Sequence, residues 1–147
     1  MAMIVVSAFV VLVVLLVSSA SAQGGGYVVR GKARVIDGNH VIVDGTKVRL
    51  SGVNAPKAKD KYGAKAKAAL KKKVGTKSIG CMIDGNWSGS NWGYCGDPDK
   101  ESSRDIRKTL NAWMVRSGNA RNDLEWNIFS REEQQAKRKG KGIWKKR

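Results

Sequence analysis

Two Asp-Gly pairs, Asp37-Gly38 and Asp44-Gly45, constrain the fold more than any other feature of this chain. Each interrupts a run rich in β-branched residues. Tyr27 to Ile36 alternates apolar and polar residues over part of its length, as a half-buried strand does. Val41-Ile42-Val43 forms a second strand, and Val48-Arg49-Leu50 opens a third that ends near Gly52-Val53. Asp-Gly between such runs is a strong hairpin signal, because the tight turns that match strand twist need residues tolerant of positive φ. Three strands in succession make a meander, the start of a small barrel.

Asn54-Ala55-Pro56 breaks the pattern, since Pro56 biases Ala55 towards extended backbone. Lys57 to Lys61 reads as a charged loop. Gly63 to Lys73 is rich in helix formers, with a narrow apolar stripe of Ala66, Ala69 and Leu70, and Gly75 ends it. Lys77 to Ile83 is a fourth strand with Ile79, Cys81 and Ile83 on one face. Asn86 to Asn91 reads as a loop, and Trp92 to Cys95 as a fifth strand. Gly96 to Ser103 is a polar turn. Ile106, Leu110, Trp113 and Met114 recur at helical spacing, with Gly118 as the stop. Ser130 to Lys139 is a third helix, with Ser130 as its cap and Glu132-Glu133 in the first turn, where the helix dipole favours carboxylates. The expected fold is α+β: a five-stranded Greek-key barrel of the OB type with about three helices.

Every charged residue lies beyond residue 22. The uncharged start, with its apolar block from Ile4 to Val17 and the small residues Ala20-Ser21-Ala22, reads as a secretory signal peptide. A retained membrane anchor is the alternative, because the first residues carry no Lys or Arg. The domain is expected over 23–147, secreted or periplasmic, and monomeric. It holds 28 Lys and Arg against 12 Asp and Glu, a net charge of +16. So large an excess attracts polyanions: nucleic acid, acidic polysaccharide or an anionic membrane surface. Cys81 and Cys95 read as a disulfide between facing residues of a long hairpin, with two free thiols as the alternative.

The ordered motifs IDGNH (Ile36 to His40), VRLSGVNAPK (Val48 to Lys57), WMVRSGNA (Trp113 to Ala120) and EEQQAKRKGKGIW (Glu132 to Trp144) resemble those of the staphylococcal nuclease, or thermonuclease, family. The resemblance covers nearly the whole chain beyond residue 22. It implies a calcium-dependent phosphodiesterase with two metal-binding Asp, a Glu that activates water and two Arg that hold the phosphate. In this chain the metal positions carry Asn39 and Asn54, and Asp37 is kept beside them. The Glu position carries Lys57. The first Arg is kept as Arg49, and the second position carries Ser90. His40 follows Asn39 and is the sole histidine, a candidate general base or simply a polar residue at a strand edge.

Calcium takes roughly six to eight oxygen ligands, and its affinity follows their charge. Two Asp-to-Asn exchanges and a lysine in the Glu position therefore point to a catalytically impaired nuclease that needs no cofactor. If the chain is active, calcium is the expected metal. The basic residues are expected to bind the polyanion. Lys57, Lys59, Lys61, Lys65, Lys67, Lys71, Lys72 and Lys73 crowd the loop and first helix. Lys137, Arg138, Lys139, Lys141, Lys145, Lys146 and Arg147 form a basic tail. About six such contacts to duplex phosphates give log K against log salt a slope of about −5. Trp87 is a candidate stacking platform for a base or sugar ring. The rival readings are an active thermonuclease-type endonuclease and an accessory protein for acidic exopolysaccharide.

Overall fold

The computed structural model describes residues 26–98 and 105–146. The segment read as a signal peptide and part of the polar turn expected over 96–103 lie outside the described residues. Five strands, β1 (Tyr27–Val35), β2 (His40–Val43), β3 (Thr46–Leu50), β5 (Ser78–Trp87) and β6 (Ser90–Gly96), close into a barrel in the order β1-β2-β3-β6-β5. Neighbours pair antiparallel, except that β3 and β6 run parallel, with Val48 opposite Asn91 and Leu50 opposite Gly93. The remaining strands, β4 (Val53–Asn54) and β7 (Arg121–Asn122), form a separate two-residue ladder. The α+β barrel expected from the meander is the observed fold.

Alternation decides which side chains face inward. Val41, Val43, Val48 and Leu50 from β2 and β3 are wholly buried, and Ile79, Cys81 and Ile83 from β5 meet them. Each of these aliphatic side chains contributes about 1.5–3 kcal/mol on burial. The helix α1 (Gly63–Val74) buries Ala66, Leu70 and Val74 at fourfold spacing and leaves its lysines outside. Ala69, expected on that stripe, is half-buried at its edge. Cys81 and Cys95 face each other across β5 and β6 and form a disulfide.

The helix α2 (Leu110–Arg116) is capped by Thr109, whose hydroxyl accepts from the Ala112 amide. Its Asn111 is fully buried and joins helix to barrel. The side chain accepts from Cys95 N at 3.0 Å and donates to Ser51 O at 2.9 Å and Gly93 O at 3.0 Å. After α2 the chain returns over it, with Ile143 N donating to Gly118 O.

Three sequence expectations are corrected. The third strand stops at Leu50, because Ser51-Gly52 turns the chain and Val53 pairs instead with Asn122. The span 86–91 is not a loop: β5 runs on to Trp87, and Ser88 and Gly89, both at positive φ, make a two-residue hairpin turn. Glycine at 89 takes that conformation without steric cost. Ser130 is the first residue of α3 (Ser130–Arg138) rather than its cap; Phe129 precedes it with no side-chain cap bond. Burial of the Phe129 ring, with its amide donating to Asn122 Oδ1, sets that helix start.

Candidate functional site

The turn between β1 and β2 is held by its own side chains. The Asp37 carboxylate accepts from Asn39 N at 2.7 Å, from His40 N at 2.8 Å and from the His40 ring at 3.0 Å. Burial by itself would raise the Asp37 carboxyl. Hydrogen bonds from the Asn39 amide and the His40 ring, with the smaller His40 charge and amide contributions, outweigh it and hold the group below its ordinary 3.8. The bond to Asp37 fixes the proton of a neutral His40 on Nδ1 and leaves Nε2 as acceptor. Gly38 allows the turn to lie against its neighbours, since a Cβ there would come within 2.6 Å of the Ala55 Cβ.

Asn39 closes the other side. Its Nδ2 donates to Ala55 O at 3.1 Å, while Ala55 N donates to its Oδ1 at 2.7 Å. Both ends of the amide are thus engaged by one peptide segment, as a paired strand would engage them. Asn54 is exposed and stands opposite Arg121 in the two-residue ladder. Lys57 is exposed, and its amide donates to Asp60.

Arg49 lies opposite His40 in the ladder and therefore on the same face of the sheet. Its guanidinium sits 4.6 Å from the centroid of the Trp92 ring. Trp92 stacks on Trp126 at 5.5 Å and an interplanar angle of 16°. Trp87 meets both edge-on, at 6.2 Å and 5.2 Å, and is 45% exposed. The loop carrying Trp126 is fixed from below: Asn122 bonds both Asn127 Oδ1 and Phe129 N, and Asp123 N donates to Gly52 O. Arg49 Nε and Trp92 Nε1 are buried and find no acceptor among the described residues. Ser90 begins β6 at the hairpin turn and pairs with Trp87.

Residues 47–146 match the model of a family described as staphylococcal nuclease homologue. The chain belongs to that family. No curated protein matches it at a significant level. Membership implies a nuclease-type or nucleic-acid-binding function. The matched span begins after the 36–40 turn, so one half of the site lies upstream of the family match and the other half, from Arg49 to Ser90, within it.

For a calcium-dependent family the donor set here is a poor fit. The Asn39 oxygen already accepts from Ala55 N, Asp37 Oδ1 accepts from two amides and the His40 ring, and Lys57 brings a cation. Among the described residues no group of three or more His, Cys, Asp or Glu is gathered for a metal. A site for a hard cation needs several free oxygens, most of them charged.

The basic residues are arranged around aromatic rings. Lys61 and Lys65 lie 5.7 and 5.5 Å from the centroid of Tyr62, and Arg121 and Lys137 lie 4.5 and 4.4 Å from that of Trp144. The two lysine-rich regions meet: Lys65 of α1 and Lys145 near the C-terminus line one hollow of about 210 Å³. An adjoining hollow of about 350 Å³, sharing Tyr62 and Ile143, runs to Asn54 past Arg121. Lys59, Lys71 and Lys72 are exposed outside these hollows, and Lys139 is exposed just past α3. Lys137 and Arg138 form the last turn of α3, as in the helix expected from Ser130 to Lys139, and Lys137 also pairs with Glu133 at 2.9 Å.

Sequence reasoning missed Trp126 and the docking of Asn39 on Ala55. Trp126 lies in an irregular loop with no periodicity to place it, and backbone partners leave no trace in residue type. No helix among the described residues is long and apolar enough to cross a membrane. The disulfide is compatible with a secreted protein.

Proposed function

We propose that the chain is a secreted nuclease-family domain, spanning 23–147 as a monomer, that holds nucleic acid without running calcium-dependent hydrolysis. One observation carries the reading: the side chain at the first metal position is closed at both ends on the Ala55 backbone. A carboxylate there would repel Ala55 O, so this position is built as a joint. The retained Arg49 and the three-tryptophan cluster supply a cation and an aromatic surface. The hollows from Asn54 to Lys145 supply a cationic path. A single strand laid there would stack a base on Trp87 and pass its phosphates over Arg121, Lys65 and Lys145.

The test is a binding titration of the purified protein with single-stranded DNA across salt, beside a nuclease assay with calcium and with chelator. About six phosphate contacts give a slope near −4 on a single strand. The expected result is salt-sensitive binding without calcium-dependent cleavage; robust calcium-dependent cleavage overturns it. Acidic polysaccharide is the rival ligand, and stronger retention of a uronate polymer than of DNA would establish it. A second reading rests on the Asp37–His40 pair, whose geometry orients an imidazole beside Arg49 as a general base. Cleavage in chelator that His40→Ala abolishes would establish that one.

A further inference from the structure

The far end of the barrel carries a second cationic cleft that plays no part in the site above. It lies where α1 ends, β5 begins and α2 begins, and has a volume of about 300 Å³. Among the described residues, Lys73, Lys77, Lys108 and Arg116 line it together with the carboxylate of Asp97, and Lys108 also pairs with Asp105 at 3.7 Å. Trp113 forms a wall, and Lys73 Nζ lies 5.4 Å from the centroid of its ring. Arg116 is steadied by donating to Arg107 O at 3.1 Å. Ile79 and Leu110 supply apolar lining, which weakens solvent screening of the charges above it.

The separation of the two sites follows from β5. That strand begins at Ser78 in the cleft and ends at Trp87 in the tryptophan cluster. Its length at about 3.3 Å per residue places the two roughly 30 Å apart along the strand. A strand keeping the duplex rise advances about 3.4 Å per nucleotide, so up to about nine nucleotides reach from one to the other.

We infer that this cleft is a second phosphate-binding site, so that one single-stranded nucleic acid bridges both ends of the barrel. The inference rests on the nucleic-acid reading proposed above. Its consequence is a length threshold. A short oligonucleotide occupies one site, whereas a long one gains the second contact at the effective concentration set by its own chain, worth on the order of 10²-fold or more in affinity.

The experiment measures binding of (dT)3 and (dT)20 to the wild type, to Lys77→Glu/Lys108→Glu, and to a charge-matched control, Lys47→Glu/Arg131→Glu. All four substituted side chains are exposed. Relative to the control, the cleft variant is expected to lose about tenfold or more of its (dT)20 affinity and none of its (dT)3 affinity. Equal losses of (dT)20 binding in the two variants overturn the second site while leaving the nucleic-acid reading intact. Binding of neither oligonucleotide by the wild type overturns both. Alginate of matched length is run in parallel; a cleft-specific loss with alginate but not with (dT)20 overturns the assignment to nucleic acid.

Discussion

Asn39 and Asn111 do the same physical work in two different places. Each engages both ends of its amide with backbone groups distant in sequence. Asn111 does so in the core, where water has no access and an unmet group costs its full desolvation. Asn39 does so at a half-exposed turn, at the position where the family resemblance expects a metal-binding carboxylate. The core joint holds α2 against the barrel wall. The surface joint has the same construction where chemistry is expected. One joint holds the fold together; the other occupies a position at which the resemblance implies a metal ligand.

The largest effect should come from the core joint. Asn111→Ala leaves Cys95 N, Ser51 O and Gly93 O without their partner. That should cost about 3 kcal/mol or more, at about 1 kcal/mol or more per stranded group. The melting temperature should fall by roughly 12 °C, taking about 4 °C per kcal/mol for a domain of this size. A fall no greater than that of Asn39→Ala would break the comparison. Next comes the disulfide. Cys81 and Cys95 are 14 residues apart. Reduction releases that loop and should cost about 3 kcal/mol, read as a shift in the denaturant midpoint between oxidised and reduced protein.

The barrel was legible because its signals are local. Asp44-Gly45 sets a hairpin, and the alternation of Val41, Val43, Val48 and Leu50 sets the inward face. The Ser88-Gly89 turn was harder to see, because Asn and Gly around it read as a loop, while cross-strand pairing from Asn86–Asn91 and Trp87–Ser90 extends the ladder to the tip. The site was legible in residue type and not in partnership. Asn39, Asn54 and Lys57 announce a missing charge set. That Asn39 is spoken for by Ala55, or that Trp126 lies on Trp92, depends on contacts between segments far apart in the chain. Lys137 and Arg138 fall in the helix expected there, and it is the contact of Lys137 with Trp144 that residue type does not announce.

A smaller effect tests the surface joint. Asn39→Asp removes the donor to Ala55 O and sets two acceptors against each other, so it should destabilise by about 1 kcal/mol, the low end for a partly exposed group. Added calcium should leave the melting temperatures of the wild type and of this variant unchanged, because a ligand stabilises only the state that binds it. The triple variant Asn39→Asp/Asn54→Asp/Lys57→Glu restores the charge set and should gain a calcium-dependent rise. Calcium stabilisation of the wild type would mean that the half-exposed joint opens for a metal after all.

The smallest effect concerns acid. The Asp37 carboxyl is held below its ordinary 3.8 because the bonds from Asn39 and His40 outweigh its burial. A group depressed in the folded state binds its proton more readily when unfolded. Its contribution is therefore fully present above 3.8 and is lost as pH falls through the lower folded value. Other carboxylates titrate in the same range, so the control is Asp37→Asn, which keeps the shape and removes the titration. Unfolding free energies measured by denaturant from about pH 5 down to about pH 2 should fall more steeply for the wild type than for the variant. Parallel curves would show that the turn holds without the charge on Asp37. The Asn39–Ala55 pair would then be the whole of the joint, as Asn111 is in the core.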